Sequence, residues 1–236
     1  MAEDNALRRS ARGARARRIG IMALFAIVGC TGDESAARRS APTSTSVTGA
    51  ATSSTTPTPC DVDDGTGVQL GPQVTDDVPA GYEPAPDEAE DTGQTDLDMA
   101  ASFVGDPAEQ GVLSVLQFRR GYQRLFYGPD GSGDLIVHVY EFCDAQGASG
   151  YLRHTRERLL SPLWGSVEVD VVGVPEPGVA LLQEAEPEDD SFVAVLSVKG
   201  PFYVEIGAYG RLAHEGLDTL TAKAQSLSDA QLAELT

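Results

Sequence analysis

An α+β fold, an antiparallel sheet of about five to six strands with helices packed mainly on one face, is what this chain predicts between residues 97 and 236. Three observations lead there. Strand-like runs recur at 119–127, 135–142, 167–172, 178–184, 192–199 and 202–208, several of them joined by short turns. Ala145, Ala148, Leu152, Thr155 and Leu159 keep helical spacing, and Leu217, Leu220, Ala224 and Leu227 do so near the end. A segment of about 140 residues is also long enough to bury a real core.

Ahead of that domain the chain changes character three times. Arg8, Arg9, Arg12, Arg15, Arg17 and Arg18 precede an apolar run, Ile19 to Val28, that is too short to span a bilayer. This is the charged and apolar order of an export signal over residues 1–29. The run ends in Ile27-Val28-Gly29-Cys30, which resembles the lipobox of bacterial lipoproteins. The resemblance implies a diacylglycerol thioether on Cys30, cleavage after Gly29, and further acyl chains, palmitate among them, on the new N-terminus. It also implies Sec export and a protein attached to the outer face of the plasma membrane through its N-terminal lipid.

Residues 30–60 then read as a disordered tether, with 14 Ser or Thr between 31 and 60, Pro42, Pro57 and Pro59, and few large apolar side chains. Residues 61–96 read as an acidic lead-in without Lys or Arg, although Val68, Leu70, Val78 and Tyr82 give parts of it something to dock with. The whole chain has 36 acidic against 17 basic residues and a net charge of −19. That balance excludes a nucleic-acid footprint, and it leaves the lipid rather than surface charge as the membrane attachment.

Within the domain, Asp106-Pro107 reads as a cap and first turn of a helix to Gln117, with Val112, Leu113, Val115 and Leu116 apolar. A hairpin through residues 128–133 would place Leu125 opposite Ile136 and Arg120 opposite Glu141. Asp144 is the expected cap of the next helix, where Gly147 and Gly150 each cost about 1 kcal/mol relative to Ala, so packing must hold it. Lys199-Gly200-Pro201 turns a second hairpin, with Phe202, Val204, Ile206 and Ala208 on one face, and Ser228 reads as the cap of a last turn.

Asp96-Leu97, Gly121-Tyr122-Gln123-Arg124, Val139-Tyr140-Glu141-Phe142, Asp144-Ala145-Gln146-Gly147-Ala148 and Val174-Pro175-Glu176-Pro177-Gly178 together resemble a group of exported lipoproteins of high-GC Gram-positive bacteria. The resemblance covers roughly residues 70–235 and implies fold and location, with no activity attached. In element order the domain is also similar to envelope sensor domains of that lineage and to small lipoproteins of PsbP-like fold.

Candidate chemistry is sparse. Once Cys30 is acylated, Cys60 and Cys143 remain, either as a disulfide or as two free thiols; outside the cytoplasm a bridge closing a loop of about 80 residues would contribute about 4–5 kcal/mol. His138, His154 and His214 lack the companions of a metal site, with His138 read as a core residue and His154 as solvated. Asp130-Gly-Ser-Gly-Asp134 lacks the distal glutamate of a calcium loop, and the acidic cluster Glu184 to Asp190 reads as a solvated hairpin tip. No cofactor or metal is expected. Tyr122, Arg124 and Phe126 share one strand face, where an arginine between aromatics could grip an anion. With His138 and Tyr140 nearby, Tyr122 and Arg124 would line a ligand pocket. The expected function is a non-catalytic binding module meeting an envelope protein, polymer or small ligand; the alternatives are a carrier or sensor for a hydrophobic or anionic molecule, and an envelope hydrolase.

Overall fold

Strands that are apolar at nearly every position belong in the middle of a sheet covered on both sides. Leu135–Phe142 and Ser191–Lys199 are such strands, and they lie at the centre of an eight-stranded, wholly antiparallel sheet. The computed structural model describes residues 70–86, 92–129, 132–174, 177–186 and 189–236. The signal segment, Cys30, the tether, Cys60 and Asp130 therefore lie outside the described residues.

Along the chain the strands are β1 (Glu83–Pro84), β2 (Gly93–Thr95), β3 (Phe118–Tyr127), β4 (Leu135–Phe142), β5 (Val167–Val169), β6 (Val179–Gln183), β7 (Ser191–Lys199) and β8 (Phe202–Gly210). The helices are α1 (Leu97–Val104), α2 (Glu109–Val115), α3 (Ala145–Leu159), a short α4 (Leu212–Glu215) and α5 (Leu217–Glu234). In space the order is β1-β3-β4-β8-β7-β6-β5, with β2 pairing farther along the same edge of β3. Both hairpin expectations hold: Leu125 pairs with Ile136, Arg120 with Glu141, and Lys199 with Phe202.

The helices divide between the two faces, instead of gathering mainly on one. α1, α2 and α3 cover Phe118, Tyr140, Phe142, Leu181, Ala194, Leu196 and Tyr203. On the opposite face α5 packs Leu220, Ala224 and Leu227 on Val137, Val139, Val193, Val195, Val204 and Ile206. Two-sided burial explains why the central strands are apolar on both faces, as in Val193-Ala194-Val195-Leu196, rather than alternating apolar and polar.

The acidic lead-in also joins the second face. Leu70, Val74 and Tyr82 belong to its core, so residues 70–86 are part of the folded unit. Gln231, fully buried on α5, holds them there: its side-chain oxygen accepts from the Thr75 amide at 3.0 Å, and its nitrogen donates to the Gln73 carbonyl at 2.8 Å. Ser228 consequently lies inside α5 and is buried, where a last-turn cap was expected. The end of α5 is closed by Lys199, whose ammonium donates to the carbonyls of Leu232 and Leu235 at 2.8 and 2.6 Å.

Caps behave as the chemistry predicts where they were read. Asp144 accepts from the Gly147 amide at 2.8 Å to start α3. The element missed in the sequence, α1, has the same device: Asp96 accepts from Met99 at 2.8 Å, and Gly105 closes the helix at φ 71°. α2 is shorter than expected, because Asp106 caps a preliminary turn and Gln117 leaves the helix in the left-handed region at φ 60°.

The two glycines of α3 explain themselves here. A Cβ on Gly147 would lie 2.4 Å from the Leu116 carbonyl oxygen, and one on Gly150 would lie 2.7 Å from the Leu116 side chain. Their absence of side chain lets α3 press against the end of α2. Gly147→Ala should therefore lower stability by about 1–3 kcal/mol in urea unfolding, although alanine is the better helix former. An unchanged or raised midpoint would mean that the close approach contributes nothing.

Candidate functional site

α3 presents a second stripe beside its apolar one. Tyr151, His154 and Arg158 follow one another at helical spacing and converge on a single carboxylate, Glu109 of α2, which is 1% exposed. Tyr151 donates its hydroxyl proton to one oxygen at 2.7 Å, and Arg158 reaches the same oxygen at 3.3 Å. His154 Nε2 lies 2.8 Å from the other oxygen and is the donor when Glu109 is ionised. His154 is thus engaged and two-thirds buried, where solvation was expected.

Below this contact lies a cluster of phenols. Tyr151 meets Tyr203 edge-on at 4.8 Å, Tyr140 sits 5.6 Å from Tyr151, and Tyr203 donates to Glu205 at 2.7 Å. Burial pushes all three phenols up from their ordinary value, with Glu205 adding to the effect at Tyr140 and Tyr203 and the neighbouring Tyr140 and Glu109 at Tyr151. Burial opposes the charge on Arg158, but Tyr151, Glu205 and Glu109 around it outweigh that and push the guanidinium up. These groups stay in one protonation state through the neutral range, and Tyr151 and Arg158 act as donors that hold α3 to α2.

On the outer side of that contact, a shallow groove of about 500 Å³, open to solvent, lies between α2 and α3. Ala108, Gly111, Val112, Val115, Leu116 and Gly150 give it an apolar floor, and Arg153, His154 and Glu157 form its α3 rim. Val115 is 81% exposed. It was expected on the packed side of α2, but Leu113 takes that position and Val115 turns to the groove.

Arg153 is unusual in the charge arrangement. Among the described residues, the other cations have anionic or carbonyl partners: Arg119 and Arg120 share Glu141, Arg124 pairs with Asp76, Arg156 with Glu168, Arg158 with Glu109, Arg211 with Asp190 and Lys223 with Glu215, while Lys199 caps α5. Arg153 alone has no such partner among the described residues, in a chain with twice as many acids as bases.

The four residues expected to line a pocket do not meet. Tyr122 and Arg124 lie on the α5 face, with the Arg124 guanidinium 5.5 Å over the Tyr122 ring and paired with Asp76. His138 and Tyr140 lie on the other face, His138 5.9 Å from the Phe103 ring and 6.1 Å from Tyr140. Arg124 is thereby a structural arginine that ties residue 76 of the lead-in to the sheet. Cys143, between β4 and α3, is disulfide-bonded, with its partner outside the described residues. No group of His, Cys, Asp and Glu suited to a metal occurs among the described residues, and none of their helices is long and apolar enough to cross a membrane.

Two outcomes follow from the buried network. Glu109→Gln leaves the Arg158 charge without its closest anion and should lower stability by about 3 kcal/mol in urea unfolding. A raised phenol pKa stabilises the fold fully below the ordinary value near 10 and loses that contribution as pH rises above it. Ultraviolet titration should accordingly show Tyr140, Tyr151 and Tyr203 ionising last of the seven tyrosines, together with unfolding. Ionisation of all seven in one step near the ordinary value, with the fold intact, would contradict the burial of the cluster.

No protein-family model matches the chain, and no curated protein does. Among solved structures it is similar to the extracellular domain of PknH from Mycobacterium tuberculosis, at 13% identity and a TM-score of 0.39, over 64% of this chain and 86% of that one.

Proposed function

We propose that this chain is a lipid-anchored, extracytoplasmic binding module of the cell envelope, acting without catalysis, with the α2–α3 groove as its working surface. The observation that carries the anchor is Ile27-Val28-Gly29-Cys30, placed behind a basic stretch and a short apolar run. Sec export and acylation of Cys30 belong to this reading. The oxidised state of Cys143 supports it independently, because structural disulfides persist mainly outside the cytoplasm.

With Cys30 acylated, Cys60 is the remaining partner for Cys143 among three cysteines. That bridge would fasten the end of the tether to the domain between β4 and α3. The tether of about 30 residues would then span roughly 30 Å from the bilayer, enough to present the domain above the lipid headgroups. An apolar groove rimmed by one uncommitted guanidinium suits recognition, since it offers contact area and a single charge to orient what binds.

Cys30→Ala should move the protein from the membrane to the soluble fraction and abolish metabolic labelling with a fatty acid. Unchanged membrane association would remove the anchor from this reading. Peptide mapping without reduction should recover Cys60 joined to Cys143, and Cys60→Ser should lower stability by about 4–5 kcal/mol in the chain-entropy view. A free thiol at either position would overturn the pairing.

A further inference from the structure

We propose that the groove between α2 and α3 binds a single-chain amphiphile with a long-chain carboxylate, its aliphatic tail along the apolar floor and its carboxylate on Arg153. The proposal rests on the binding-module reading and gives that module a ligand class. The floor, from Ala108, Gly111, Val112, Val115, Leu116 and Gly150, has aliphatic or no side chains and no side-chain polar group. An occupant of that floor therefore needs no hydrogen bonds along its length.

The walls narrow the choice further. Both are helices, whose backbone groups are mostly committed to their own turns, so an extended peptide would lay its amides against a surface with few partners. A docked helix would satisfy its own backbone, but α2 has seven residues and supports a length of only about 10 Å. An aliphatic chain has no amides to satisfy, and unlike a helix it can bend to keep its contacts within that length. A volume of about 500 Å³ lies in the range of small-molecule sites.

Charge fixes the head group. Arg153 is the cation without an anion or carbonyl partner among the described residues, and it stands on the rim of this groove. Its guanidinium presents paired donors that match a carboxylate. Glu157, one turn farther along α3, repels an anion and so assigns the head group to the Arg153 end. His154, beside it on the rim, is held by Glu109 at 2.8 Å.

The test uses the full chain in phosphatidylcholine nanodiscs and a palmitate analogue with a photoreactive diazirine in its tail, compared with the matched alcohol. Adducts should map to 108–116 or 150–157, and the acid should label about tenfold more efficiently than the alcohol. Arg153→Gln should erase that preference, and Val115→Gln should reduce labelling by both probes. Both positions are exposed, so these variants retain the fold. Leu163→Gln, at an exposed apolar residue away from the groove, should change nothing.

Absent adducts, adducts elsewhere, equal labelling by acid and alcohol, or a preference that survives Arg153→Gln would each overturn the proposal. Displacement of the probe by an acidic peptide but not by unlabelled palmitate would overturn it in favour of a peptide site. Fractionation of Cys30→Ala does not involve the groove, so a failure here is separable from a failure of the anchored module.

Discussion

The close approach of α3 to Leu116 is the contact on which the helical face depends. Gly147 and Gly150 let the first turns of α3 come against the carbonyl and side chain that end α2. At that spacing Glu109 lies within hydrogen-bonding distance of Tyr151, His154 and Arg158. Were the helices farther apart, Glu109 would be a desolvated carboxylate without donors, a far costlier arrangement than the two glycines impose on helix propensity. The same spacing sets the width of the groove on the outer side. One steric allowance in α3 therefore supports a buried charge contact and an accessible apolar surface together.

A second balance concerns charge. The chain is strongly acidic, and among the described residues most of the cations are placed where they do structural service. Arg124 ties the lead-in to the sheet, and Lys223 ties α5 to Glu215 of α4 while lying 5.4 Å over the Tyr82 ring of the lead-in. Arg119 and Arg120 close the end of the first hairpin on Glu141, and Lys199 closes α5. Arg120 with Glu141, Lys223 with Glu215 and Arg158 with Glu109 are all mostly out of water, so each of these partners depends on the other. Among the described residues, an exposed arginine left over beside an apolar floor is the feature that distinguishes the groove.

Much of the fold was legible because local signals and tertiary packing agree. Asp144 as a cap, the alternation of Phe202, Val204, Ile206 and Ala208, and both hairpin registers follow from residues close in sequence. The division of helices between faces was legible in principle, since Leu135–Val137 and Val193–Leu196 are apolar without alternation. The pocket expectation failed on a point of parity. With Leu125 opposite Ile136, Tyr122 and Arg124 share a face with Val139 and Val137, so His138 and Tyr140 must point the other way. Glu109 carried no local mark, because an acid in the first turn of a helix is ordinary on an exposed surface. The polar stripe Tyr151, His154 and Arg158 beside an apolar one was the available sign that α3 covers a buried anion.

Gln231 joins the two ends of the domain, and that has a consequence for the order of assembly. The residues it holds, Gln73 and Thr75, lie more than 150 positions earlier in the chain. During synthesis they emerge first, yet their amide and carbonyl find their partners only when the last turn of α5 has formed. Until then Leu70, Val74 and Tyr82 have no helix to cover them, and the valine-rich face of the sheet is bare on the same side. Contacts of such long range make folding slow and late rather than progressive. A nascent chain built this way keeps that face of the sheet open until α5 has emerged, so the lead-in and the last helix take their places in one late step.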